Sequence, residues 1–266
     1  SRGLGDVYKR QLMSRLAELK FAMGSSIFLV AFIFAIFLSA IMFILNFSLV
    51  YAIIATIIFI LLQYLIGPAI VESSTHLHYL KTGENPWLES TVKELADKSV
   101  IPMPRLAIVQ DKTPNAFVFG RTANSATLTV HEGLLTNLNE DEIKGVIGHE
   151  LGHLKHKDYI VMTILSALPL IAYIVARGTW GVARFTGSSR KKDEGSIKAA
   201  FFAVAIIAYI VYIISLFCVM RLSRLREHYA DAYSAYVTGS PRNLESALAK
   251  ITYGLSLSPK PPSGAR

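Results

Sequence analysis

Charge is scarce in this sequence, and cysteine is all but missing. Asp, Glu, Lys and Arg make up 17% of the 266 residues, against about 25% in an ordinary soluble domain. The single thiol, Cys218, excludes a disulfide framework and a thiolate metal centre. It sits inside an apolar run and reads as a small apolar filler. Internal repeats and low-complexity tracts are absent, and so is any nucleic-acid-binding motif. The net charge of +8 therefore points to anionic lipid headgroups and not to nucleic acid. Apolar residues fill the space that charge leaves: 52% of the chain, with a mean hydropathy of +0.42.

The apolar excess is concentrated in four segments. Residues 27–47, 49–71 and 199–220 are nearly uncharged and long enough to cross a hydrocarbon core, which takes roughly 20 residues. Residues 160–176 form a shorter run that contains Pro169. Three uncharged runs of this length are hard to bury as core helices in so small a chain. The expected fold is membrane α-helical, with about four spans and a small α+β domain. Residues 1–12 read as a non-native leader, because they have neither apolar periodicity nor a signal-peptide pattern. Residues 13–71 then form a transmembrane hairpin, 72–158 a polar block, 159–220 a second hairpin, and 221–266 a last helical part.

Within the polar block, Asn85-Pro86 starts a helix, with Asn85 as its cap and Pro86 in the first turn. This helix runs to about Ser99 and places Leu88, Val92, Leu95 and Ala96 on one face. Residues 105–110, 116–120 and 125–130 read as short strands, the third alternating small or polar with apolar residues. Asn139 opens another helix, with Glu142 three positions on in a capping-box arrangement. After the fourth apolar run "RLREHYADAYSAYV" stays helical, and Ser240-Pro241 starts a final helix to about Tyr253.

The helix opened by Asn139 carries "GVIGHELGHLKHKD", residues 145–158. His149 and His153 are four apart, so their side chains share a helix face, with Cβ atoms about 5–6 Å apart. Two imidazoles so placed grip one Zn²⁺ from the same side. Glu150, one step round, reaches a metal-bound water without ligating. This is the His-Glu-x-x-His motif of zinc proteases. Zinc lowers the pKa of its water to about 7, and Glu150 then accepts the proton and passes it to the leaving amine. By chance the motif arises in roughly one chain in a hundred of this length.

Gly145, Gly148 and Gly152 each weaken the helix by about 1 kcal/mol relative to alanine. They either admit the substrate or a neighbouring element, or allow close packing against the sheet. A catalytic zinc takes a third protein ligand. His156 is about 10 Å along the axis from His149, too far to share the metal, and reads as an interfacial residue. Glu227 is better placed, with Asp231 four residues on along the same face to accept a ligand histidine's free N–H. The alternative for this pair is a solvated acidic face beside Arg224 and Arg226. Two spans separate His153 from Glu227, which returns both to one side of the membrane.

"GHELGH", "REHYAD", "TPNAFVFG" and "TVHEGLL" together resemble the HtpX-type membrane zinc metalloproteases, relatives of the CAAX prenyl endopeptidases. The resemblance covers about residues 21–253 and implies a zincin-like metalloprotease domain. It implies His149, His153 and Glu227 as zinc ligands, Glu150 as catalytic base, and Asp231 and Asp158 as supporting residues. Asn115, Ala116 and Phe117 fall in the Asn-Ala-Phe motif, and the family implies that this edge strand lines the substrate cleft. An extended peptide can add to such an edge through main-chain hydrogen bonds. His228 departs from the pattern, standing where relatives often have tyrosine. His131 stands where threonine is usual and reads as structural. A later His-Pro-Pro segment and an Arg-Ile segment have no counterpart, which implies a fragment. His76 and His78 read as interfacial.

Arg15 and Lys20 flank the first run, whereas the 46–48 loop is uncharged. The positive-inside rule then puts the polar block in the cytoplasm. Arg177, Arg184, Arg190, Lys191, Lys192 and Lys198, between the third and fourth runs, contradict the same rule. Either that loop is seated on the membrane surface or residues 160–176 do not fully cross. The resemblance implies a zinc endopeptidase cutting misfolded or damaged membrane proteins at the cytoplasmic face of a prokaryotic cell membrane. Its partners would be polypeptide substrates and the lipid bilayer. The alternatives are a prenyl-peptide endopeptidase and a catalytically silent, zinc-stabilised membrane protein.

Overall fold

The computed structural model describes residues 48–185 and 192–257, together with residue 18 and part of 21–41. Residues 1–12, 258–266, Arg190 and Lys191 lie outside the described residues. In chain order the elements are α1 (Leu49–Thr75), β1 (His78–Tyr79), α2 (Pro86–Ser99), β2 (Arg105–Val109), β3 (Ala116–Phe119), β4 (Thr127–His131), α3 (Glu132–Asn137), α4 (Glu140–Lys155), α5 (Asp158–Phe185), α6 (Lys192–Thr238) and α7 (Pro241–Leu257). They form two compact units. One contains Gly67–Tyr159 and the chain from Arg226 on; the other contains Glu18–Ile66 and Ile160–Leu225.

In the first unit local chemistry sets the helix ends. Asn85 Oδ1 accepts from the Leu88 N–H, Pro86 occupies the first turn, and Val100 closes α2 in the left-handed region at φ 51°. Leu88, Val92, Leu95 and Ala96 are all buried, as their helical spacing requires. α4 begins with a complete capping box: Asn139 Oδ1 accepts from Glu142 N–H, and the Glu142 carboxylate accepts from Asn139 N–H. Such a cap is worth about 0.5–2 kcal/mol. Glu142 is itself buried and also accepts hydrogen bonds from Ser246 and Lys250 on α7. One residue thus starts the helix and pins it to its neighbour.

The sheet has the order β1-β2-β4-β3. β2 and β4 are parallel, while β1 and β3 run antiparallel to their neighbours. β3 therefore lies at a rim with one main-chain edge unpaired in the sheet, and α4 packs against it as well as against α2 and α7. β1 has only two residues, too short for an alternation signal. Every residue of β4 is buried, so its alternation marks two covered faces and not one wet face.

In the second unit Phe34, Phe37 and Ile41 form one apolar cluster with Leu165, Leu168, Ala172, Ala176, Val204, Ala208, Val211 and Leu222. Among the described residues three helical stretches are long and apolar enough to cross a membrane: Ile53–Thr75, Asp158–Arg184 and Lys198–Thr238. The run read as 160–176 is longer than expected. α5 continues through Pro169 to Phe185, and α6 is a single helix of 47 residues. Arg177, Arg184, Lys192 and Lys198 are consequently helix residues and not loop residues.

Candidate metal centre

Three glycines decide how α4 meets its neighbours. A Cβ on Gly145 would lie 2.7 Å from the Leu244 backbone nitrogen, and one on Gly152 would lie 3.2 Å from Ala230 Cα. Gly148 faces Val237 and Ser234. The neighbouring element is thus the end of α6 and the start of α7, and not the sheet. Ser234 Oγ donates to Gly145 O at 2.6 Å and fixes the register. With Gly152 opposite Ala230, the residues one step along, His149 and His153, face Glu227 and Asp231.

The facing donors converge. His149 Nε2 and His153 Nε2 are 3.2 Å apart, and Glu227 Oε2 lies 3.4 Å from the first and 3.8 Å from the second. Among the described residues this is the one group of three such side chains able to hold a metal, with ligand atoms within 4.8 Å of one another. The other nitrogen of each ring meets a carboxylate. His153 Nδ1–H donates to Asp158 Oδ2 at 2.7 Å. His149 Nδ1 is 2.9 Å from Asp231 Oδ1, an ion-pair contact that is not aligned as a hydrogen bond. Carboxylates on both Nδ1 atoms favour the tautomer whose Nε2 lone pairs point into the site.

Asp158 is buried, and its Oδ2 also lies 3.0 Å from Arg226 Nε. The alternative reading of Glu227 and Asp231 sets Arg226 beside a solvated face. Arg226 is instead buried, while Arg224 is exposed. The signal was present in the sequence: Leu222, Ala230 and Ser234 are buried and lie at four-residue steps from Arg226, so helical periodicity places it on the inner face.

Four carboxylates and one guanidinium surround the two imidazoles. Burial opposes protonation of both rings, yet the Asp231 and Glu227 carboxylates beside His149 hold it up at about 10. Asp158 and Glu227 likewise raise His153. This surplus of negative charge suits a divalent cation, which displaces protons from such ligands on binding. Burial pushes the Glu150 carboxyl up, and the positive rings of His149 and His153 pull it back only in part. A raised carboxyl suits a proton acceptor working near neutral pH.

The remaining residues singled out in the sequence sort clearly. Ala116 and Phe117 lie on β3, and Asn115 immediately precedes it, its carbonyl accepting from the His131 N–H at 2.9 Å. The Phe117 ring meets the His131 ring edge-on at 6.0 Å. His156 caps the end of α4 and packs edge-on against Tyr229, 3.7 Å between ring centroids. His78 pairs with Glu84 at 2.7 Å, and His228 is exposed beside Glu227.

The sequence pattern of Peptidase family M48 matches residues 82–266. The chain is 42% identical over 197 residues to a protein named protease HtpX homolog from Methanothermobacter thermautotrophicus, covering 74% of this chain and 71% of that one. It is 37% identical to protease HtpX homolog 2 of Methanosarcina acetivorans over 72% of this chain, and spans 63% of that protein's length. A Lactobacillus helveticus protease HtpX homolog is 33% identical over 214 residues, 77% of this chain and 70% of that protein. The crystal structure of S. mikatae Ste24p superposes with a TM-score of 0.54 at 21% identity, covering 94% of this chain and 60% of that one. That likeness is one of fold.

Proposed function

The chain belongs to peptidase family M48 as an HtpX-type member, and on that premise we propose that it is a zinc-dependent membrane endopeptidase. Its substrates are misfolded or damaged membrane proteins, cut at the cytoplasmic face. The observation that carries this reading is the meeting of two imidazole Nε2 atoms with the Glu227 carboxylate, each imidazole backed by its own carboxylate. His149, His153 and Glu227 would hold the ion, Asp231 and Asp158 would orient the rings, and a bound zinc supplies Lewis acidity that makes a water acidic near pH 7.

The chain's own groups do the rest. Glu150, raised by burial, takes the proton of the attacking water and returns it to the leaving nitrogen. Asn115 and Phe117 turn their main chain towards β4, so along this stretch the outer rim of β3 offers the main chain of Ala116 to an extended peptide, whose carbonyl would lie beside Glu150. A membrane substrate fits the chain's continuity: α6, which carries Glu227, is one helix with a membrane-length apolar run.

Glu150→Gln tests the assignment. Reconstituted in liposomes, the variant is expected to retain zinc at the parent's stoichiometry and to lose at least about a hundredfold in cleavage of an unfolded membrane protein, the scale of one general base. Cleavage at the parental rate would remove Glu150 from the chemistry.

A further inference from the structure

In the second unit α5 and α6 frame a groove of about 360 Å³ lined by Tyr173, Arg177, Trp180, Tyr209 and Ile210 with Ala205 at its base. Aromatic packing shapes its walls. Trp180 stands edge-on to Phe202 and Tyr173 lies against Tyr212, each pair 5.4 Å apart. Arg177 is the charged member of this lining, one residue beyond the apolar run that ends at Ala176. Tryptophan and arginine in that place mark the level of lipid headgroups.

Arg177 forms no ion pair among the described residues, and the stretches 49–66, 160–185 and 199–225 contain neither Asp nor Glu. A guanidinium at the end of a membrane span, with no ion-pair partner among the described residues, points to an anion from elsewhere. More positive charge collects at the same ends of the two helices: Arg184 sits over the Trp180 ring at 5.9 Å, and Lys198 precedes the apolar run of α6.

We propose that this groove binds an anionic phospholipid, its phosphate paired with Arg177 and one acyl chain laid along Tyr173, Tyr209 and Ile210. A guanidinium fork matches phosphate oxygens bidentately. The apolar lining serves an acyl chain and has nothing to offer a free phosphate. The site gives Arg177, one of the basic residues that contradict the positive-inside rule, a lipid phosphate to meet. It is independent of the chemistry at the metal centre.

Native mass spectrometry of the full chain, released from nanodiscs of equal phosphatidylcholine and phosphatidylglycerol, tests the proposal. The parent is expected to retain one phosphatidylglycerol over phosphatidylcholine by about fivefold or more, the worth of one cation at an anionic surface. Arg177→Gln abolishes the preference and Arg177→Lys keeps part of it. Arg184→Gln and Lys198→Gln, outside the lining, leave it in place. Ile206→Trp fills the groove from an exposed position without changing charge, and is expected to evict the retained lipid. A parent without preference, equal losses in Arg184→Gln and Arg177→Gln, or undiminished retention in Ile206→Trp would each overturn the site.

Discussion

Asp158 joins His153 to Arg226 through one carboxylate oxygen, 2.7 Å from the first and 3.0 Å from the second. Because it is buried, its loss leaves a buried guanidinium unpaired and a ligand ring free to turn. Removing one partner of a buried pair costs about 3–5 kcal/mol, and outer partners of metal ligands are worth about 10–100-fold in affinity. Asp158→Asn is therefore expected to weaken zinc binding by about that factor in a competitive chelator titration. An unchanged titration curve would strip Asp158 of its positioning role. At this scale His149, Glu150 and His153 were legible because four-residue spacing on a helix fixes their mutual direction. The spacing of Glu227 and Asp231 left two readings open, since only the partner helix says what an acidic face looks at. Arg226, which the alternative reading places beside a solvated face, lies inward with Leu222, Ala230 and Ser234 at four-residue steps.

At the scale of elements, the glycines of α4 act together as a seam. Alanine at Gly145 would gain about 1 kcal/mol of helix propensity and meet backbone of α7 at 2.7 Å, a contact that no rotamer change relieves. Overpacking of this kind costs typically about 1–3 kcal/mol. Gly145→Ala is expected to lower the melting temperature, measured by a thermal shift in detergent; a variant as stable as the parent would contradict the close approach of α4 and α7. Capping chemistry made the starts of α2 and α4 readable, since Asn85 and Asn139 each bond a backbone N–H three residues on. β1 escaped because two residues carry no period. The C-terminal end of α5 and the N-terminal end of α6 escaped because hydropathy measures bilayer thickness, whereas a helix continues into polar sequence without interruption.

For the whole molecule, the apolar runs announced a membrane protein on composition alone, while the joining of distant segments into one metal centre depended on topology. In the proposed arrangement two crossings bring the chain back to the side where it began, so that His149 and His153 near the end of α4 and Glu227 on α6 would serve one ion. The proposed orientation has its own test. Lys93 is exposed on α2, and the native thiol, Cys218, is partly buried in the apolar cluster. Lys93→Cys in intact cells is expected to escape a membrane-impermeant maleimide until the cells are permeabilised; immediate labelling would put the metal centre outside. The central claim is that side chains from α4 and α6 hold one divalent ion together. Zinc K-edge absorption fine structure of the purified protein tests it most directly. The prediction is one zinc with imidazole nitrogen and carboxylate oxygen at about 2.0–2.2 Å, the oxygen contribution falling and zinc content dropping in Glu227→Ala. A first shell without imidazole, or one that Glu227→Ala leaves untouched at full zinc content, would contradict it.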